Sequence, residues 1–307
     1  MFFKKLKLST NKSANDVCLS EDKLIYLQNL AKQTNNKFEE TTKMSAENMA
    51  GDLQSRVRGA GVDFEENKPY QTGSDSRHIN WRTYARTQQL FVNIYNEDKR
   101  PSTYIVLDQR TSMYFGTRKQ LKIKQALNIA IYYIYRAMHR QQNVSGVQIL
   151  NKPIWHSIYS GAQSISAFSK LLNNPHISNV EDKSKPHINS ILSKLNLTSG
   201  AELVIVSDFR DMNTETITAL YNLSRTHKIE LIQIQDPIEV EIPTKGIYNI
   251  KNNTEDQPIT LNCNKKIQKE YRETIKTKFE HYITQCKNMG INFNQFLTTD
   301  SIFSEQQ

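Results

Sequence analysis

Short apolar runs alternate with longer amphipathic segments from Ser102 to the end of the chain. Four of the apolar runs have the length of a strand and lie at 104–107, 144–150, 203–206 and 229–234. Between the first two, apolar residues recur at the spacing of one helical face: Ile123, Leu127, Ala130, Ile131, Ile134 and Met138. This alternation predicts an α/β fold, with a mainly parallel sheet flanked by helices.

Three more helices follow from the same periodicity. We predict helices over 188–197 and over 214–224, the latter with Asn213 as its N-cap. A long C-terminal helix carries apolar residues four apart from Ile267 to Ile283 and should end near Gly290. The alternating segment 291–293 then predicts an edge strand.

The first hundred residues are more polar. Leu24, Ile25, Leu27, Leu30 and Ala31 have helical spacing and predict a docking helix within an N-terminal arm. Residues 51–100 are rich in Arg, Gly and Asn, with one short alternating run at 90–94 that predicts a strand. We therefore divide the chain into an N-terminal region, 1–100, and an α/β domain, 101–307.

Composition narrows the function classes only slightly. Of the 307 residues 37% are hydrophobic, and 40 Lys and Arg against 31 Asp and Glu leave a net charge of +9. This charge favours an acidic partner without identifying it. The three cysteines have no close spacing, which argues against a disulfide framework or a zinc site and predicts a cytoplasmic protein. No apolar stretch is long enough to predict a transmembrane helix.

Two acids stand where an open α/β sheet binds its ligands, beyond the carboxyl ends of the strands. Asp108 directly follows the first central strand, and Asp208 follows a later one. With the Ser112 hydroxyl they supply the oxygen ligands that Mg²⁺ prefers. Asp108, Ser112 and Asp208 are thus candidate metal ligands. Alternatively, Asp108 caps its loop and Asp208 holds a backbone turn, with no ligand.

These residues resemble the metal-ion-dependent adhesion site of the von Willebrand factor type A fold. Residues 51–64, 69–82 and 108–117 resemble, more specifically, the bacterial family called domain of unknown function 58. The matching residues include Gly51-Asp-Leu-Gln-Ser-Arg-Val-Arg-Gly-Ala-Gly and Gly73-Ser-Asp-Ser-Arg-His-Ile-Asn-Trp-Arg82. The resemblance implies a von Willebrand factor A-like fold and a non-enzymatic adaptor or chaperone-like partner of a MoxR-type AAA+ ATPase, acting on a client protein.

The loop from Asp108 to Ser112, which would bind the metal, departs from the family pattern. Arg110 stands where the family has a small hydroxyl residue, and residues 185–189 lack the threonine of the second loop. We expect Arg110 to neutralise Asp108 and Asp208, so that Mg²⁺ binds weakly or not at all. A partner's carboxylate would then meet this guanidinium, or the contact would be lost. Of the seven histidines, we expect only His187 to lie in a loop that approaches the Asp108 site.

The family signature also carries basic and aromatic residues that predict a partner-binding surface. Its candidates are Arg56, Arg58, Arg77, Trp81, Arg82 and Arg86, together with Arg110. Alternatively, most of these arginines pair with neighbouring acids and fix the segment in place.

The sequence gives little support for an enzymatic function. The chain has no GxxxxGK[ST] or HExxH motif, and Ser112 has no evident histidine base. A phosphatase of the haloacid dehalogenase type would need an acid at the position of Arg110. We expect no catalysis. The rival function is nucleic-acid binding through the signature and the Lys265-Lys266 and Arg118-Lys119 pairs, although the basic residues are scattered along the chain.

Overall fold

A computed structural model describes residues 17–49, 64–69, 80–95, 101–173, 186–250 and 259–301. The strands are β1 (Phe64–Pro69), β2 (Phe91–Tyr95), β3 (Ser102–Asp108), β4 (Asn143–Ile149), β5 (Ile154–Tyr159), β6 (Glu202–Ser207), β7 (Lys228–Gln235), β8 (Gly246–Ile250), β9 (Ile259–Cys263) and β10 (Asn292–Leu297). The helices are α1 (Glu21–Met49), α2 (Trp81–Thr87), α3 (Lys122–His139), α4 (Ala162–Leu172), α5 (Ile188–Leu192), α6 (Thr214–Ser224), α7 (Pro237–Val240) and α8 (Lys265–Asn288).

The chain divides into two compact units. The larger contains Met1–Lys37 and Pro101–Gln307, and the smaller contains Phe38–Arg100. In the smaller unit β1 pairs antiparallel with β2, and α2 begins at Asn80, whose side chain accepts a hydrogen bond from the backbone of Thr83. The short strand predicted near 90–94 is therefore confirmed as β2.

The larger unit is built on a six-stranded sheet in the order β10-β7-β6-β3-β4-β5. All neighbouring pairs are parallel except β4 and β5. Numbered along the chain, these strands run 3-2-1-4-5-6, the order of a doubly wound fold whose switch point lies between β3 and β6. The predicted fold class, α/β with a mainly parallel sheet flanked by helices, is confirmed.

Hydrophobic cores cover both faces of this sheet. On one face α3, α4 and the start of α1 pack together, and on the other α5, α6 and α8 do so. Helix α3 is buried nearly all round, which is typical of a helix with other elements on several sides. Leu24, Leu27 and Ala31 of α1 lie in the same core. Leu30 packs partly against this core, whereas Ile25 is 56% exposed. The predicted helix is therefore present, and its beginning groups with the larger unit.

Some elements differ from the prediction. Helix α5 ends at Leu192 rather than at 197, and Leu195 and Leu197 of the non-helical chain that follows pack partly against the core. Strand β5, helix α4 and the β8–β9 hairpin were not predicted. The N-cap at Asn213 and the last strand, β10, are confirmed. Cys18, Cys263 and Cys286 form no disulfide bond with one another. None of the described helices is long and apolar enough to span a membrane. The cytoplasmic location stays a prediction.

Candidate functional site

The carboxyl ends of β3 and β6 meet at the switch point of the sheet. Leu107 is in register with Val206, which places Asp108 beside Ser207. The Ser207 hydroxyl donates to Oδ2 of Asp108 at 2.6 Å. Two residues later the chain turns through Phe209, whose φ of 50° lies in the left-handed region and whose ring is fully buried. A bulky residue adopts this conformation only where its surroundings enforce it.

The guanidinium of Arg110 lies between two carboxylates. Its Nε and Nη2 donate to Asp108 at 3.0 and 2.7 Å. Its Nη1 and Nη2 donate to Asp211 at 2.5 and 3.0 Å, and Nη1 also donates to the carbonyl of Pro186 at 3.2 Å. Each of the five N–H groups of a guanidinium thus has an acceptor. This is the two-pronged geometry in which arginine binds carboxylates most strongly.

Asp108 has its hydrogen-bonding capacity filled. Oδ1 accepts from the backbone N–H and from Nε of Arg110, and Oδ2 accepts from Nη2 of Arg110 and from Ser207. An ionised carboxylate has about four lone-pair positions. Because the Asp108 side chain is fully buried, these four donors replace the water that would otherwise solvate it.

Asp208 is neutralised by a second buried cation. The ammonium of Lys122, at the start of α3, lies 2.8 Å from Oδ2 of Asp208 and 2.9 Å from Oε1 of Glu239. The Lys122 side chain is fully buried. On the solvent side Arg210 contacts Asp208 at 3.4 Å and also pairs with Glu239. Arg110 was predicted to neutralise both Asp108 and Asp208. It pairs directly with Asp108 and Asp211, whereas the direct partners of Asp208 are Lys122 and Arg210, and Arg110 adds only the effect of its charge.

Burial and charge act against each other on these acids. Burial raises the pKa of Asp208, but Lys122, Arg210 and Arg110 outweigh it and hold that pKa below its usual value. Burial likewise raises the pKa of Asp211, whereas the hydrogen bonds and charge of Arg110 lower it overall. Burial alone would lower the pKa of Arg110, and its two carboxylates raise it above normal. The site is therefore a set of fixed charges at neutral pH.

The loop before α5 completes the site through its backbone. The Pro186 carbonyl accepts from Arg110, and the Ile188 N–H donates to Asp211 at 3.1 Å. This loop supplies peptide groups where the family resemblance implied a threonine hydroxyl. His187 approaches the site as predicted: its Nδ1 lies 3.7 Å from Asp211, and the ring is 70% exposed.

The donor set does not fit a Mg²⁺ ion. Such an ion needs several oxygen ligands with free lone pairs, whereas the oxygens of Asp108 accept from Arg110 and Ser207 and Oδ2 of Asp208 accepts from Lys122. Ser112 lies half-buried in a 3₁₀ turn, Thr111–Tyr114, and within the described ranges no hydrogen bond joins it to either acid. Across the same ranges, no three His, Cys, Asp or Glu side chains cluster in a way that would hold a metal.

The predicted partner-binding residues lie in separate parts of the chain. Arg56, Arg58 and Arg77 are outside the described residues. Trp81, Arg82 and Arg86 lie on α2 and are exposed, with 63% of Trp81 accessible. Trp81 packs edge-on against Tyr84, with ring centroids 6.2 Å apart. Arg110, in contrast, is only 8% exposed, and its donors are used within the site.

Sequence reasoning missed several members of the site: Lys122, Ser207, Arg210, Asp211 and Glu239. Lys122 opens a strongly apolar helix, where a lysine is expected to be a solvated first-turn residue. Asp211 lies three positions after Asp208 in Ser-Asp-Phe-Arg-Asp, and this dense run of charge directly after a buried strand was the available signal. Glu239 belongs to the capping box of α7 and gave no signal of its own.

Comparison with solved structures finds similarity at low identity. BatB from Bacteroides thetaiotaomicron covers 62% of this chain and 98% of its own, with 12% identity and a TM-score of 0.39. An aerotolerance-related membrane protein from Bacteroides fragilis covers 64% and 91%, with 15% identity and a TM-score of 0.39. A von Willebrand factor type A protein from Catenulispora acidiphila covers 60% and 43%, with 8% identity and a TM-score of 0.30.

Sequence comparison gives the stronger result. Uncharacterized proteins of Mycobacterium bovis and Mycobacterium tuberculosis are 34% identical to it over 67 residues, which is 22% of this chain and 21% of theirs. The chain therefore matches about a fifth of the length of these curated relatives. The model of one family, described as protein of unknown function DUF58, matches residues 66–281. Because that match spans more than half of the sequence, the chain belongs to the DUF58 family.

Proposed function

We propose that this protein is a non-enzymatic adaptor that binds other proteins at the carboxyl edge of its sheet without a metal ion. The observation that carries the proposal is the position of Arg110 and Lys122. Two cations that belong to the chain lie against the acids that would otherwise ligate Mg²⁺. The degenerate metal site is then a preformed, metal-independent surface.

The rim of this edge offers groups for an acidic partner. Arg210 is 54% exposed on its side chain although it pairs with Asp208 and Glu239, and His187 is 70% exposed beside Asp211. The buried Arg110 holds the loops in place, whereas Arg210 is accessible to a carboxylate from outside. We therefore assign the direct contact to Arg210 and the positioning of the edge to Arg110. The exposed Trp81, Arg82 and Arg86 of α2 form a second candidate contact.

The proposed partner is a MoxR-type AAA+ ATPase, a choice that rests on the family resemblance. Calorimetry with the purified ATPase of the same organism, free of nucleotide, tests it. We expect the same affinity in EDTA and in Mg²⁺, because the chain supplies its own cations. Arg210→Ala should weaken binding several-fold, and Arg225→Ala, an exposed arginine at the end of α6, should not. Binding that requires Mg²⁺, or equal binding by the two variants, would contradict the proposal.

Nucleic-acid binding receives less support from the charge distribution. Along α8 three of the basic residues have acidic partners one turn away: Lys266 with Glu270, Lys269 with Glu273 and Lys276 with Glu280. Such pairs reduce the net field that a phosphate backbone would meet. This alternative stays a prediction, and an electrophoretic shift with a steep salt dependence would favour it over the adaptor.

A further inference from the structure

A basic cavity of about 620 Å³ opens beside the carboxyl edge of the sheet, apart from the ion-paired acids. Its walls come from the start of α1, the loop before α3, the first turns of α3 and the turn after β10. The charged and polar groups that matter here are Lys23, Lys119, Lys124, Asn128 and Asp300. Pockets of this size accommodate small organic ligands.

The lysines give the cavity an excess of positive charge. Burial, and then the neighbouring charge of Lys119, lower the pKa of Lys23. Within the described ranges neither Lys23 nor Lys119 forms an ion pair, although both line the same space. The one acid in the wall, Asp300, points its Oδ2 at the backbone N–H of Leu297, 2.8 Å away. Like charges brought together in this way favour an anion between them.

The aromatic ring of Tyr26 fixes the position of one of these lysines. Nζ of Lys23 lies 4.3 Å from the centroid of the Tyr26 ring, a cation–π contact at the mouth of the cavity. Elsewhere in the lining Gln120 donates to Gln125 at 2.5 Å, and Gln125 donates to the carbonyl of Asp300 at 3.3 Å. These contacts hold the walls before any ligand arrives, which lowers the cost of ordering them on binding.

Asn128 adds an acceptor to this cationic space. Its side chain is 3% exposed, and among the residues described its Oδ1 has no hydrogen-bond donor. A buried amide oxygen without a donor is unfavourable, so the cavity is complete only when an O–H or N–H group reaches it. A bare anion would satisfy the lysines and leave Asn128 unpaired. The complementary ligand combines an anionic group with a hydroxyl.

We propose that this cavity binds a phosphate monoester that carries a hydroxyl group, with the phosphate against Lys23 and Lys119 and the hydroxyl donating to Asn128. A dianionic phosphate suits two ammonium groups because each forms charge-assisted hydrogen bonds to its oxygens. The same chemistry occurs in soluble metabolites and in the headgroups of anionic lipids. The site is independent of the adaptor role proposed above.

Calorimetric titration of the intact protein with glycerol 3-phosphate tests the proposal, with methyl phosphate as the ligand that lacks a hydroxyl. We expect saturable binding of glycerol 3-phosphate, weaker binding of methyl phosphate, and a loss of affinity of about tenfold or more in the Lys23→Gln/Lys119→Gln variant. Lys266→Gln/Lys269→Gln, which removes the same charge from the exposed face of α8, should bind as the wild type does.

Asn128→Leu should remove the preference for glycerol 3-phosphate over methyl phosphate while leaving methyl phosphate binding unchanged. Vesicles containing phosphatidylinositol 4-phosphate, whose headgroup carries a phosphate monoester and free hydroxyls, distinguish the two sources of the phosphate group. If the wild type sediments with these vesicles and the Lys23→Gln/Lys119→Gln variant does not, the ligand is a membrane lipid. If the wild type does not sediment with them but binds glycerol 3-phosphate, the ligand is a soluble metabolite. Equal binding by the wild type and the Lys23→Gln/Lys119→Gln variant, or no saturable binding of any of the three probes, would overturn the proposal.

Discussion

Arg110→Ser removes the cation between Asp108 and Asp211 and introduces the small hydroxyl that the family has at this position. The variant loses five hydrogen bonds, four of them to carboxylates. The side chains of Asp108 and Asp211 are 0% and 17% exposed, so water replaces the lost donors only partly. Leaving a buried charge without its partner typically costs about 3–5 kcal/mol. We expect the free energy of unfolding at pH 7 to fall by about that amount.

Magnesium should then become a stabilising ligand. With the guanidinium gone, Asp108 regains free lone pairs, and the hydroxyls at positions 110 and 112 add oxygens of the kind that Mg²⁺ prefers. A ligand present at a hundred times its dissociation constant restores about 2.7 kcal/mol. Urea unfolding of the variant, followed by circular dichroism with and without Mg²⁺, measures both effects. The wild type should show no dependence on Mg²⁺, because its acids are already neutralised.

Arg110→Met is the matched control for this experiment. It removes the same charge and the same hydrogen bonds but supplies no oxygen ligand, so it should be destabilised as much as Arg110→Ser and gain nothing from Mg²⁺. The reasoning is refuted if Mg²⁺ stabilises the wild type as strongly as Arg110→Ser. It also fails if removal of the guanidinium changes the free energy of unfolding by less than about 1 kcal/mol.

Three further predictions follow from the same structure. Lys122→Met should lower the free energy of unfolding by about 3–5 kcal/mol in urea titrations, because it leaves Asp208 and Glu239 without their buried cation; a loss below about 1 kcal/mol would contradict this pairing. Folding lowers the pKa values of Asp208 and Asp211. The ionised side chains therefore stabilise the folded protein above about pH 4, and this contribution is lost as the pH falls further. Acid titration of Arg110→Ser should show a smaller loss of unfolding free energy than that of the wild type. Gly146→Ala should lower the free energy of unfolding by about 1–3 kcal/mol, because the added Cβ would lie 2.4 Å from the carbonyl oxygen of Ile105 on the neighbouring strand. Thermal or urea unfolding measures this loss, and an unchanged melting temperature would contradict the prediction.

The sheet was predictable because its central strands are buried on both faces. The runs around Val106 and Ile205 are nearly continuous apolar sequence, which is typical of strands covered by two helical layers. The runs around Val147 and Leu231 are interrupted by polar residues, and of these Gln148 and Gln233 are buried as well. Strand β5 escaped prediction since it lies at the edge of the sheet, where Trp155 and Ile158 are exposed and the alternation is weak. Helix α4 is short, and its buried residues, Ile165, Phe168 and Leu172, have few apolar neighbours in sequence.

The candidate site was predictable in position but only partly in composition. The rule that ligands bind at the carboxyl ends of parallel strands located Asp108 and Asp208 correctly at one edge. The pairing of charges was not predictable, because it depends on which side chains the loops bring together over distances of about a hundred residues in sequence. Arg110 and Asp211 are of this kind, and so are Lys122 and Asp208.

The buried position of Lys122 also bears on how such a domain responds to its surroundings. An exchangeable ion leaves whenever its free concentration falls, so a site that depends on one reports the ionic conditions around it. An ammonium on the side chain of α3 has a fixed and very high effective concentration beside Asp208, and dilution or chelation does not remove it. If the carboxyl edge of this sheet binds partners without a metal, as proposed, the supply of divalent cations does not regulate it, and regulation has to come from movement of the chain or from another protein.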